Sequence, residues 1–141
     1  MKDTLRPGLA HTLRYRVPAN RTVPHLLPES PGFNTMPEVL ATGYMVGIIE
    51  WACTEALREH LDEGELTLGT HVNLSHDAPT VPGSTVTVDV TLTDVDGRAL
   101  SFEVAARDEY AVISTGTHRR GVVDRARFEA RLPHQTDGTG R

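Results

Sequence analysis

Between residues 39 and 60 apolar side chains recur every three or four positions, whereas from residue 65 onward they recur every second position. That change of period constrains the chain more than any other feature, because helices repeat at 3.6 residues and strands at two. The first segment predicts one long helix from Val39 to about His60. Arg58 and His60 fall in its last turn, where cations suit the helix dipole, and "DEG" at 62–64 stops it. The second predicts four strands, "LTLGTHVNLSH", "STVTVDVTLTDV", "ALSFEVAARD" and "YAVISTGTHRRGVVD". Val86, Val88, Val90 and Leu92 share one face of the second strand, and Leu100, Phe102, Val104 and Ala106 one face of the third. "DG" at 96–97 is a hairpin signal between those two. A weaker strand, "AHTLRYRV", precedes the helix. No crossover helix separates the last four strands, which argues against a parallel doubly wound sheet. The class is α+β, an antiparallel sheet of about five strands packed on a single helix. With 141 residues the chain has the size of one domain. We assign it to residues 1–132 and read the tail "PHQTDGTGR", 133–141, as disordered.

The helix carries one misplaced charge. Glu50 lies in the middle of "ATGYMVGIIEWACTEALREH", and its neighbours one turn away, Val46, Gly47, Cys53 and Thr54, include no cation. An unpaired buried carboxylate costs several kcal/mol or shifts its pKa, so such a residue is a functional candidate. Gly43 and Gly47 each cost the helix roughly 1 kcal/mol relative to alanine. They make sense where another backbone presses closely on that face.

Composition narrows the function. A net charge of −5 argues against a nucleic-acid binder, which would show a basic stripe. Cys53 is the only cysteine, so neither a disulfide framework nor a thiolate metal site is expected, and a reducing compartment fits. The start lacks the apolar core of a signal peptide, and no run approaches the ~20 residues of a membrane span. We therefore expect a cytoplasmic protein with no membrane partner. Of the seven histidines none forms an i, i+4 helical pair or an HExxH motif, and His71 and His76 would face opposite sides of one ideal strand, so no metal is expected. There is no GxSxG elbow and no Walker-type phosphate loop.

The segment "PHLLPESPGFNTMPE" has prolines at 24, 28, 31 and 37, too many for a helix interior or a central strand, yet it contains Leu26, Leu27, Phe33 and Met36. It reads either as a lid over a pocket or as a plug for the end of the core.

Two further polar residues join Glu50 as candidates. Thr42 precedes it by eight residues, about 80° around the helix and ~12 Å along it. His76 ends the strand after the helix and offers an imidazole base. If Thr42 and Glu50 serve one reaction, the helix start is bent, two chains contribute, or a substrate bridges the gap. Glu50 would either orient and charge-stabilise His76 or act directly on a carbonyl carbon. Each has a plainer reading: a threonine near a helix start is usually a cap, and a histidine ending a strand is usually surface.

Five stretches, "HLLPESPGF", "PEVLATGYMVGIIEWAC", "GELTLGTHVNLSHDAPTVPGSTVTV", "GRALSF" and "GTHRR", occur in the order in which the chain resembles the fluoroacetyl-CoA thioesterases and their hot-dog-fold relatives. The resemblance covers roughly residues 1–132. It implies a single hot-dog fold, with a long central helix wrapped by the sheet, and a homodimer whose active sites lie at the subunit interface. It also implies a catalytic trio of Thr42, Glu50 and His76. In it His76 is the general base, Glu50 works on the thioester directly or through water, and Thr42 positions or polarises the acyl group.

Gly69 matches a glycine whose backbone N–H helps bind the carbonyl oxygen, and Arg120 a basic residue that meets the CoA part. Val23, Leu26, Phe33 and Met36 belong to the substrate-binding set. The implied reaction is hydrolysis of an acyl-CoA, fluoroacetyl-CoA as the leading choice, to the free acid and CoA, with no cofactor beyond the CoA of the substrate. Where the relatives resemble a lid with two phenylalanines, this chain has Phe33 and Met36. Methionine is flexible and fills irregular space, which points to a lid that admits another small acyl group. An acyl-CoA hydratase and a non-catalytic acyl-CoA binder are the alternative classes.

Overall fold

The computed structural model describes residues 1–133, so the tail read as disordered lies, from residue 134 on, outside the described residues. Five strands, β1 (Ala10–Arg16), β2 (Glu65–Leu74), β3 (Thr85–Asp96), β4 (Ala99–Arg107) and β5 (Val112–Asp124), form one sheet in the order β1-β3-β4-β5-β2. All four pairings are antiparallel. The β3–β4 hairpin turns at Gly97 and Arg98, one residue on from the sequence signal, and Gly97 has φ +60°, the left-handed region that favours glycine there. β5 starts two residues later than the alternation implies. The Asp108 carboxylate accepts from the N–H groups of Tyr110 and Ala111 and holds them in a turn.

The central helix is preceded by a 3₁₀ turn (Ala19–Arg21) and two one-turn helices, α1 (Val23–Leu26) and α2 (Pro31–Asn34). Pro24 is the second residue of α1 and Pro31 the first of α2, within the first turn where a missing N–H costs nothing. The proline-rich segment is thus not a structureless loop. The long helix, α3, runs over Thr42–Leu57, shorter than the periodicity predicts. At its start, residues 39–41 are extended: the Leu40 N–H donates to Thr80 O, and Val39 O accepts from the Val23 N–H. At its end Arg58 is the C-cap, and His60 turns away to hydrogen-bond Thr4. A fourth helix, α4 (Arg125–Arg131), follows β5 and is capped by the Asp124 side chain on the Arg127 N–H. Among the described residues no helix is long and apolar enough to cross a membrane.

The core lies where the sheet wraps α3. Met45, Ile49, Ala52, Cys53 and Leu57 of the helix pack against Val86, Val88, Val90, Leu92, Leu100 and Phe102, all buried. Each large side chain removed from water there contributes about 1.5–3 kcal/mol. Gly43 receives the side chain of Leu26, whose methyls would come 3.2–3.3 Å from an added Cβ, so a side chain of the proline-rich segment and not a backbone uses that gap. Gly47 has nothing within 4 Å of such a Cβ. The proline-rich segment and the turn before it are tied to α3 again by the Tyr44 hydroxyl donating to His25 O at 3.3 Å and by Arg21 over the Tyr44 ring. Leu27 and Met36 are exposed, which disfavours the plug reading for those two side chains.

Candidate active site

Thr42 is the first residue of α3, and Ala41, which precedes it, is the N-cap with no side-chain capping bond. The Thr42 hydroxyl is therefore not spent on its own helix. It lies 2.7 Å from His76 Nδ1. His76 stands two residues beyond β2, on a stretch still held to β5 by the Ser75 N–H on Thr115 O and the Asp77 N–H on Ile113 O. Its Nε2 is buried and has no hydrogen-bond partner among the described residues. Thr42 and His76 border a cavity of about 260 Å³ whose other lining residues are Val23, Val39, Leu40, Asp77, Ala78 and Pro79.

Glu50 belongs to a second cluster. Its cation comes from β5: Arg120 Nη1 donates to Glu50 Oε1 at 3.2 Å. The helix neighbours alone could not reveal this, because the partner is 70 residues away in sequence. The Glu50 side chain keeps 39% of its exposure while that of Arg120 keeps 7%, so the carboxylate is neither unpaired nor fully buried. The guanidinium is fixed on its other sides too, with Nε on Thr67 Oγ1 at 2.8 Å and Nη2 on Thr67 O at 2.9 Å. Nη1 also faces His118 Nε2 at 3.1 Å, while His118 Nδ1 faces the His71 carbonyl at 2.8 Å. A carbonyl only accepts, so Nδ1 carries the hydrogen and Nε2 accepts from Arg120. Burial holds the His118 pKa below its ordinary value, and the adjacent guanidinium acts in the same direction.

Gly69 sits at an irregularity of β2, between the pairings Gly69↔Arg120 and His71↔Arg119. An added Cβ would lie 2.6 Å from Glu50 Oε1, so the absence of a side chain lets the carboxylate lie against the strand. Within one chain the structure thus joins Thr42 to His76 and Glu50 to Arg120 and Gly69, but Glu50 does not contact His76. Val23 lines the cavity, Leu26 packs on Gly43, Phe33 is half-buried in α2 and Met36 is exposed beyond it. Among the described residues no group of three or more His, Cys, Asp or Glu could hold a metal ion.

Residues 23–126 match the family model described as fluoroacetyl-CoA-specific thioesterase. The fluoroacetyl-CoA thioesterase of Streptantibioticus cattleyicolor is 47% identical over 136 residues, 96% of this chain and 98% of that protein. The chain belongs to the fluoroacetyl-CoA-specific thioesterase family. A solved structure of the fluoroacetyl-CoA thioesterase FlK superposes with a TM-score of 0.89 at 46% identity, covering 93% of this chain and all of that one. A variant of FlK in complex with fluoroacetate and CoA gives a TM-score of 0.86 at 48% identity, over 88% of this chain and 99% of that one. Beyond the fluoroacetyl-CoA thioesterases, a Thermus thermophilus member of the thioesterase superfamily gives 0.81 at 26% identity, over 91% and 90% of the two chains. The fold is the α+β hot-dog fold of this family.

Sequence reasoning missed the support behind Glu50 and its guanidinium partner, Thr67 and His118. A signal was present: His118 and Arg120 share the parity of Val122 on β5 and so point toward the helix. Two cation-forming side chains on a core-facing strand face call for a buried acceptor or anion.

Proposed function

We infer that this chain is a thioester hydrolase that converts fluoroacetyl-CoA and water to fluoroacetate and CoA. The observation that carries the reading is the 2.7 Å Thr42–His76 pair at the edge of a small, largely apolar cavity, in a chain 47% identical to a fluoroacetyl-CoA thioesterase. His76 acts as general base, and Thr42 positions or polarises the acyl group. Glu50, steadied by Arg120, works on the thioester carbonyl directly or through water, and the Gly69 N–H helps hold the developing oxyanion. A thiolate is a good leaving group, so the reaction needs no metal. The committed guanidinium makes Arg120 a partner of Glu50 first, and any contact with CoA secondary.

The separation of the two clusters, about 12 Å along α3, is reconciled in a homodimer that brings the Glu50 cluster of one copy toward the Thr42–His76 pair of the other. Supporting this, β2 ends the sheet with residues 70–73 exposed, Gly47 faces open space and Trp51 is 43% exposed. The exposed Met36 favours a second specificity, for other small acyl-CoAs.

The test follows thiol release from fluoroacetyl-, acetyl- and longer acyl-CoAs, for wild type and His76→Ala. Release from fluoroacetyl-CoA that is lost in the variant is the expected result, and no release from any substrate sinks the reading. Turnover of acetyl-CoA but not its fluorinated analogue sinks the specificity alone. A monomeric mass in solution contradicts the shared site.

A further inference from the structure

Two buried side-chain polar atoms among the described residues have no hydrogen-bond partner, His76 Nε2 and Ser114 Oγ. Such groups are uncommon in folded proteins and call for a reason. These two are neighbours. The register Leu74↔Gly116 continues past the end of β2, with the Ser75 N–H on Thr115 O and the Asp77 N–H on Ile113 O. Between those two bonded positions His76 stands opposite Ser114 as a non-hydrogen-bonded pair. In such a pair the Cα atoms lie about 4.5 Å apart and both side chains leave the same face. That face is the one turned to α3, because Val72↔His118 precedes it at the same parity and His118 is 1% exposed. Ser114 itself is fully buried.

The chemistry of His76 asks for such a neighbour. For Nδ1 to serve as the general base, taking a proton from the attacking water directly or relayed through the Thr42 hydroxyl, it must be bare, which leaves the hydrogen of the neutral ring on Nε2, where it needs an acceptor. Catalytic bases are ordinarily held in the right tautomer by a third group. Glu50 is engaged with Arg120 and does not serve that purpose within the chain. We propose that Ser114 is a positioning residue of the thioesterase: one bridging water accepts from His76 Nε2–H and donates to the Ser114 hydroxyl, which fixes Nδ1 as the base that faces Thr42. The inference rests on the thioesterase reading given above. When Nδ1 takes the proton the ring becomes an imidazolium, whose Nε2–H is a stronger donor. The contact then strengthens as charge develops, so it acts on kcat more than on KM.

The experiment combines kinetics with nitrogen NMR of the imidazole rings, for wild type, Ser114→Ala and Ser114→Thr. In wild type His76 carries its hydrogen on Nε2. Ser114→Ala moves the ring toward a mixture of tautomers and lowers kcat about ten-fold, the size of one lost neutral hydrogen bond, at unchanged KM. Ser114→Thr, which keeps the hydroxyl, restores the wild-type tautomer. Melting temperatures report folding, and Ser114→Ala stays folded at the assay temperature because it deletes one buried hydroxyl and leaves the packing of β5 in place. The inference is overturned by an alanine variant whose kcat stays within two-fold of wild type, or by a His76 tautomer that does not change. Absence of thiol release by wild type would instead refute the thioesterase reading, and the ring nitrogens would still report on Ser114.

Discussion

Substituting Gly69 by alanine separates the position of the carboxylate from the stability of the fold. The new methyl would sit 2.6 Å from Glu50 Oε1 and 3.4 Å from both Arg120 Nη1 and His118 Cε1. Only the first contact is impossible, and the group in the way is the end of a flexible side chain that keeps 39% of its exposure. The carboxylate therefore swings outward by close to an ångström, and its 3.2 Å contact with Arg120 is lost. The guanidinium keeps Thr67 and His118, so no buried donor is stranded. A partly exposed ion pair contributes at most about 1 kcal/mol, and alanine in place of glycine in a strand returns about 0.5–1 kcal/mol. The melting temperature should thus move by a few degrees at most. Activity is another matter, since a displacement of about 1 Å in a reacting group can cost as much as 100-fold. We expect kcat on fluoroacetyl-CoA to fall 10- to 100-fold, read by thiol release beside a thermal melt. A variant with wild-type kcat would refute the placement of Glu50 in the reaction, and a matching collapse of the melt would refute the separation of position from stability.

His118 gives a pH prediction with a definite sign. Its folded pKa lies below the ordinary 6.5, so the unfolded chain binds the proton first and stability falls as pH drops from about 6.5 toward the folded value. Melts at pH 8, 6.5 and 5 should show that decline, and His118→Gln, which keeps an acceptor and does not titrate, should flatten it. Burial pushes the Cys53 thiol up to about 12, so at pH 8 only about one thiol in 10⁴ is ionised. A thiol reagent should find no signal from the native protein and one equivalent after unfolding in guanidinium. Thr42→Ala and His76→Ala should each lower kcat by about 10²–10⁴, and the double variant should be no slower than the slower single one, because the pair works as a unit. Additive losses would show that the 2.7 Å contact is incidental.

What the sequence displayed was the part written in local periodicity. The alternation of Val86 to Leu92 and of Leu100 to Ala106 named the core faces of β3 and β4, and the Asp96-Gly97 signal named their pairing through a turn at Gly97 and Arg98. The limits of α3 were less legible, since Val39 and Leu40 continue its apolar pattern yet are drawn into extended pairing with Val23 and Thr80. α4 escaped notice although Asp124 before it is an ordinary capping residue. In the site, residue types were legible and partners were not. Glu50 looks unpaired within its helix because Arg120 arrives from β5, and Ser114 becomes a neighbour of His76 only through the register of β2 with β5. Contacts between strands and helices distant in sequence leave no periodic trace.

The outer edge of β2 offers its backbone N–H and C=O groups to any strand that meets it, whether in the homodimer proposed above or from a misfolded chain. A flat edge would accept both. Here the register slips between Gly69 and His71, and an extra residue at that point increases the local twist and interrupts a long in-register ladder. The same glycine that makes room for a carboxylate thus lies at an irregularity that guards the strand against fibre-like stacking, so mutations that smooth this edge threaten solubility as well as turnover.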